Sequence, residues 1–218
     1  MASTAYTLVI GNKRYSSWSL RPWLILRQAG IPFAETMVAL RSVSTSPEIL
    51  KYSPAGLVPI LQHGDLTIWD SLAIAEYLNE RHPEAKLWPA DPATRARARS
   101  VSAEMHSGFR EVRMTMSMDF CATGLTPELT DGAKRDIARI VAIWREARAD
   151  HAAAGPFLFG AFSIADAMYA PVASRFTSYG IRLADYGDDG KADAYRKMMM
   201  ALPAMQEWGK AAAAEKPL

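Results

Sequence analysis

Cysteine is nearly absent from this sequence: Cys121 is the single one in 218 residues. One cysteine excludes an internal disulfide framework and any Cys-x-x-Cys pair for redox exchange or zinc, and it fits a reducing compartment. No window approaches the ~18 uninterrupted apolar residues of a membrane span. The opening "MASTAYTLVIGNKRY" lacks the basic region, apolar stretch and small-residue cleavage site of an export signal, so a cytoplasmic protein is expected. A surplus of one charge is missing too. The 25 Lys and Arg against 23 Asp and Glu leave +2, mixed along the chain, which argues against nucleic acid or an anionic membrane as partner. There is no internal repeat and no heptad array. What is present is a globular composition, with 50% hydrophobic residues and enough length for one large domain or two modest ones.

Tyr6 to Ile10 reads as a buried strand bounded by Gly11 and Asn12. A helix should follow, since Leu20, Trp23, Leu24, Ile25 and Leu26 crowd one stripe, with Ser17 or Ser19 as N-cap, Pro22 in the tolerant first turn and Gly30 as the stop. Phe33 to Leu40 reads as a second strand, parallel to the first because a helix intervenes. Ser46-Pro47-Glu48 opens at most a short helix. Val58 to Gln62 and Leu66 to Trp69 form an antiparallel hairpin around His63-Gly64-Asp65, and Asp70-Ser71 opens a helix that Pro83 ends.

Pro83, Pro89 and Pro92 then crowd a short span, the mark of an interdomain connection. Everything after Ala93 reads as helix: Thr94 to Asp119, Asp131 to His151, a segment opened by Ser163, and one from Ala192 into the alanine-rich tail. The expectation is an α/β domain over 5–83, a linker over 84–93 and an all-helical domain over 94–218.

Four stretches in order, "SSWSLRPWL", "SPAGLVPIL", "DSLAIAEYL" and "FSIADAMYAPV", carry a resemblance to the cytosolic glutathione transferases. It covers nearly the whole chain. It implies an α/β plus all-α fold: a thioredoxin-like βαβαββα domain followed by a helical bundle. Ser16, Ser17, Ser19 and Arg21 are similar to the zeta class, which includes maleylacetoacetate isomerases but would have cysteine in place of Trp18. Bacterial transferases of unassigned class are similar to this pattern as well. The resemblance also implies a homodimer, glutathione as substrate or cofactor, a small electrophile as second substrate, and no metal.

The chemistry behind those residues is thiolate stabilisation. A free thiol with a pKa near ~8.5 is mostly protonated at neutral pH, and lowering it by two units takes roughly 2.7 kcal/mol of preference for the anion. A helix N-terminus offers unpaired N–H groups and about half a positive charge, and a serine hydroxyl adds one hydrogen bond. Alignment with the zeta pattern puts Ser16 at the thiolate, with Ser17 beside it; the alternative is that these serines only cap the helix. The family implies a cis Val58–Pro59 bond, which would turn the Val58 backbone toward the cysteinyl part of glutathione. Leu57 departs from the Lys or Gln many relatives carry there. Ser71 and the first-turn N–H groups would take the γ-glutamyl carboxylate, and Asp70 would attract its ammonium.

Trp18, Met105, Phe109 and Arg113 are candidates for the hydrophobic-substrate side, the last three from a stretch that places Met105, Phe109, Val112 and Met116 at helical spacing. Such a stripe is also what a plain core would show. His106 is read as a hydrogen-bonded structural residue, Cys121 as an incidental thiol, and Arg95, Arg97 and Arg99 as a solvated face or subunit contact. Ser163 and Asp166 have capping-box spacing, a structural role. The functions in play are glutathione transfer, a zeta-like cis-trans isomerisation with glutathione recycled, and a non-catalytic transferase-like scaffold that binds proteins.

Overall fold

The structure, a computed structural model, describes residues 5–217. Residues 1–4, where the segment read as lacking an export signal begins, and Leu218, the end of the expected helical domain, lie outside the described residues. Strand β1 (Tyr6–Gly11) runs inside a four-stranded sheet with β2 (Phe33–Val38), β3 (Ile60–His63) and β4 (Leu66–Trp69), in the order β2-β1-β3-β4. β1 and β2 are parallel, with Tyr6 beside Phe33, and β3 is antiparallel to both β1 and β4. Helix α1 (Ser17–Gln28) supplies the crossover that parallel pairing needs.

Side chains along β1 alternate between two apolar layers. Leu8 and Ile10 enter the main core with Leu20 and Leu24 of α1 and with Ile74 and Leu78 of α3 (Ser71–Arg81). Val9 joins Val38, Ile60 and Ile49, the last from α2 (Thr45–Leu50). With both faces covered, β1 reads as a continuous apolar run. This is the thioredoxin-like arrangement that the resemblance implies.

The helical half consists of α4 (Pro92–Ser107), α5 (Arg110–Thr115), α6 (Asp131–His151), α7 (Ile164–Ser178), α8 (Lys191–Ala201) and α9 (Pro203–Ala214). Helix α7 is its axis, with every residue but Thr177 buried. Trp144 of α6 meets Tyr169 and Tyr195 edge-on at 6.0 and 5.0 Å. Helix α1 packs on α7, and one continuous core joins Leu24 to Met168, Phe176 and Trp208.

Several boundaries differ from expectation. The N-cap of α1 is Ser16, so Pro22 lies inside the helix, where it cannot donate back to the Trp18 carbonyl. β3 starts at Ile60, because Pro59 has no N–H to add to the ladder. β2 ends at Val38, and the Leu40 N–H goes instead to Asn12 Oδ1 at 2.8 Å. The segment expected to be one helix to Asp119 breaks at Gly108 and Phe109, the latter at φ 54. The tail is two helices, divided at Leu202 and Pro203, because Pro203 cannot continue α8.

The break at Gly108 depends on that residue having no side chain. Its N–H donates to Glu104 O at 2.8 Å, and a Cβ there would sit 2.7 Å from that same oxygen. Gly108→Ala is therefore expected to cost about 1–3 kcal/mol of stability, the usual range for forced overpacking. A thermal melt checks this: an unchanged midpoint would mean that the turn accommodates a Cβ.

Candidate active site

Helix α1 opens on serines whose hydroxyls have different partners. Ser16 Oγ accepts weakly from the Ser19 N–H at 3.4 Å and donates to Ser19 Oγ at 2.7 Å, while Ser19 Oγ also accepts from Gly11 N–H at 3.1 Å. Ser17, the first helical residue, accepts from Arg175 Nη2 at 3.2 Å. A hydroxyl has a single proton. That of Ser16 is committed to Ser19, whereas that of Ser17 has no acceptor among the described residues.

Beside this helix start, Trp18 borders a cavity of about 220 Å³. Leu57, Val58 and Pro59 form a second wall. The Val58–Pro59 bond is cis, as the resemblance implied, and Val58 falls just before the β3 ladder begins at Ile60. Leu57, 70% exposed, brings an apolar side chain to this wall.

Trp69, Asp70 and Ser71 form the third wall. Asp70 caps α3, its Oδ1 accepting from Leu72 and Ala73 N–H at 2.9 and 3.1 Å, and it does so at φ 74, where a Cβ is disfavoured. Its Oδ2 lies 3.0 Å from His106 Nε2 of α4. Ser71 is buried, and its hydroxyl has no partner among the described residues; the same is true of His106 Nδ1. Buried polar atoms normally have partners, so an unpaired hydroxyl and ring nitrogen on one cavity point to a polar ligand.

A wider groove of about 760 Å³ lies along the linker, between Asn79, Trp88, Arg95 and Phe162. None of its lining side chains holds an unpartnered buried polar atom, so the smaller cavity is the candidate site.

Of the residues singled out in the sequence, Trp18, Val58, Pro59, Asp70 and Ser71 line this one cavity, although they come from three separate segments. Ser16 and Ser17 precede Trp18 but do not line it. Met105 and Phe109 are in the hydrophobic core and do not line it either: their apolar side chains are buried in one core with Val101, Val112 and Met116. Arg113 lies 5.4 Å from the Trp18 ring and donates to Met105 O and His106 O at 3.3 and 3.4 Å. His106, read only as structural, is a lining residue that meets Trp18 edge-on at 5.5 Å. A lone histidine on a helix carries no sequence signal of an aspartate partner 36 positions away; only the fold brings the cap of α3 beside His106.

Positive charge collects behind Trp18. Arg21 stacks its guanidinium 4.1 Å from that ring, and its Nε donates to Met168 O at 3.2 Å. Arg175 Nε donates to Met116 O at 2.8 Å. Neither has a carboxylate partner among the described residues, and Nη1 of each has no hydrogen-bond partner. Burial, together with Arg175 and Arg113 nearby, pulls Arg21 down to about 9; burial and Arg113 pull Arg175 down to about 10. Burial also lowers Arg113. Such a cluster raises the electrostatic potential beside Trp18.

Residues 15–81 match the glutathione S-transferase N-terminal domain family, and residues 127–208 match the glutathione S-transferase C-terminal domain family. Glutathione S-transferase 1 of Dianthus caryophyllus is 30% identical over 175 residues, which cover 78% of each chain. The chain belongs to the glutathione S-transferase family.

Two further relatives bear on the site. A probable maleylacetoacetate isomerase of Caenorhabditis elegans is 36% identical over 94 residues, 43% of each chain. The structure of a glutathione transferase homolog from Burkholderia gl BGR1, with bound glutathione, superposes with a TM-score of 0.71 at 25% identity, covering 97% of this chain and 100% of that one. Glutathione S-transferases bind glutathione; the cavity above includes the buried Ser71 with its unpaired hydroxyl and lies at the N-terminus of α3. Among the described residues, no helix is long and apolar enough to cross a membrane.

Proposed function

We propose that this protein is a glutathione transferase that binds glutathione through the Val58 backbone, Asp70 and Ser71, and holds its sulfur as a thiolate at the start of α1. The observation that carries this reading is the unpaired, buried Ser71 hydroxyl beside the Asp70 carboxylate in the same cavity as the cis Val58–Pro59 segment. An α-amino acid end carries a carboxylate and an ammonium on one carbon; Ser71 with the first-turn N–H groups suits the former, and Asp70 suits the latter. Pro59 shapes the wall and offers no hydrogen bond of its own. The thiolate then attacks a small hydrophobic electrophile that enters beside Trp18.

Ser16 and Ser17 are the two hydroxyls proposed for the sulfur. Sequence alignment favoured Ser16, but its proton already serves Ser19, and Ser17 has the uncommitted one. The proposal therefore moves to Ser17 as donor, with Ser16 as the cap that fixes the helix start. The proposal includes a cytoplasmic homodimer, with an α/β domain over 5–83 and a helical domain over 94–218. The maleylacetoacetate isomerase relative supports a second reading, recycling of glutathione during a cis-trans isomerisation, in which Trp18 stands where the zeta class has cysteine.

The test is the ultraviolet thiolate signal of bound glutathione across pH. Its midpoint is expected well below that of free glutathione, and Ser17→Ala should raise it by about one to two pH units, the worth of one hydrogen bond to a charged group. A rise in Ser16→Ala with none in Ser17→Ala would return the role to Ser16. Turnover of a maleyl substrate without consumption of glutathione would favour isomerisation over transfer.

A further inference from the structure

Arg175 has no part in the family pattern that identified the site; it lies on α7, 158 positions after Ser17. It is nevertheless bonded to the hydroxyl that the reading above places at the sulfur. We propose that Arg175 is a positioning residue for thiolate formation: it occupies a lone pair of Ser17 Oγ, so that the Ser17 proton is presented to glutathione sulfur.

Three observations support this. A hydroxyl that accepts from a cationic donor has its orientation fixed and its O–H bond more polarised, which makes it a better donor to an anion. The guanidinium is itself anchored, through Nε to Met116 O at 2.8 Å. Its charge is uncompensated: no carboxylate pairs with it among the described residues, and its Nη1 has no partner.

The charged and titratable neighbours on each packed element agree with this assignment. Arg113 of α5 and Arg21 of α1 are cations that add to the positive potential, and Tyr179 lies beyond the end of α7 itself. Asp119 is held by both Nε and Nη2 of Arg14, at 2.8 and 2.9 Å, and is thereby diverted from Arg175. Of the other carboxylates near this cluster, Asp70 is occupied by His106 and the α3 cap, and Asp136, which faces Arg113, accepts the Val112 N–H at 3.1 Å. Each of these carboxylates is engaged elsewhere, and none is paired with Arg175 among the described residues.

The proposal rests on the glutathione reading, and the experiment separates the two. Thiolate titration of bound glutathione and affinity for S-methylglutathione, which has no ionisable sulfur, are measured for the wild type, Arg175→Met, Arg175→Lys, Ser17→Ala and the Ser17→Ala/Arg175→Met pair. Arg175→Met is expected to raise the thiolate midpoint by about one pH unit, roughly a tenfold loss of thiolate at fixed pH. S-methylglutathione affinity should change less than about twofold, since the thioether draws nothing from the anion-stabilising hydrogen bond. Arg175→Lys, which keeps the charge but not the planar fork, should recover part of the shift. In the double variant the shift should fall well short of the sum of the two single shifts, because Arg175 acts chiefly through that hydroxyl.

A midpoint unmoved in both Arg175 variants, additive shifts in the double variant, or an equal loss of S-methylglutathione would each overturn the inference while leaving the glutathione reading intact. If Arg175→Met does not fold, the lysine variant and its combination with Ser17→Ala decide the question by the same two readouts. Failure of the wild type to bind either compound would overturn the glutathione reading and this inference with it.

Discussion

Asp166→Ala is expected to cost about 3–5 kcal/mol, enough to remove much or all of the net stability of an ordinary domain. The carboxylate is fully buried and gathers four donors: Leu158 N–H at 2.9 Å, Ser163 N–H at 2.9 Å, Ser163 Oγ at 3.0 Å and Tyr195 OH at 3.0 Å. Alanine would strand these donors in a dry interior at the start of α7, the helix on which both halves of the protein pack. Denaturant unfolding at neutral pH measures the loss. A cost under about 1 kcal/mol would reduce Asp166 to an ordinary helix cap.

The same carboxyl adds a pH dependence. Burial raises it from 3.8 to about 6, although its four donors pull the other way. For an acid whose folded pKa lies above its unfolded value, the native state binds the extra proton between those values, so stability falls as pH rises from about 4 to about 6. The contribution is fully present below that window and gone above it. The slope should disappear in Asp166→Asn, which cannot titrate; a slope of the same size in that variant would assign it to other groups.

Asp70→Asn is expected to reduce glutathione affinity by about 10- to 100-fold while leaving the fold in place. Asparagine caps helices as well as aspartate does, so the bonds to Leu72 and Ala73 N–H can persist and the thermal midpoint should move little. What the substitution removes is the charge proposed to hold the γ-glutamyl ammonium, and a charge-assisted hydrogen bond in a cavity is worth about 1.5–3 kcal/mol. Asp70→Ala should lose both the affinity and the cap. Calorimetric titration with glutathione separates the outcomes: affinity retained in Asp70→Asn would place the ammonium elsewhere.

How much of this was legible in the sequence depends on the range of the forces involved. Elements governed by local chemistry were readable: Leu66–Trp69 as a strand, Asp131–His151 as a helix, and the caps at Asp70 and Ser163. Elements that depend on one missing side chain were not. The break after Ser107 turns on one Cβ that Gly108 lacks, in a segment whose apolar spacing otherwise continues. The cavity walls could be named because the motifs of three segments matched a known pattern. The partners that decide their chemistry could not: the Asp70–His106 pair and the Arg175–Ser17 bond join residues 36 and 158 positions apart, and neither side chain advertises the other.

The stretch just before α1 is held by the far end of the chain. Glu215 accepts the N–H groups of Lys13 and Arg14, Trp208 Nε1 donates to Lys13 O at 2.8 Å, and Phe120 N–H donates to Arg14 O at 2.9 Å. Two of these clasps, Glu215 and Trp208, come from α9 and the residue after it, so at Lys13 and Arg14 the backbone of the loop that leads into Ser16 and Ser17 is held by the helical half rather than by its own sheet. The loop before α1 is thereby fastened where α9 and the residue after it dock on it, so the proposed sulfur end of the cavity depends on side chains 195 to 202 positions away.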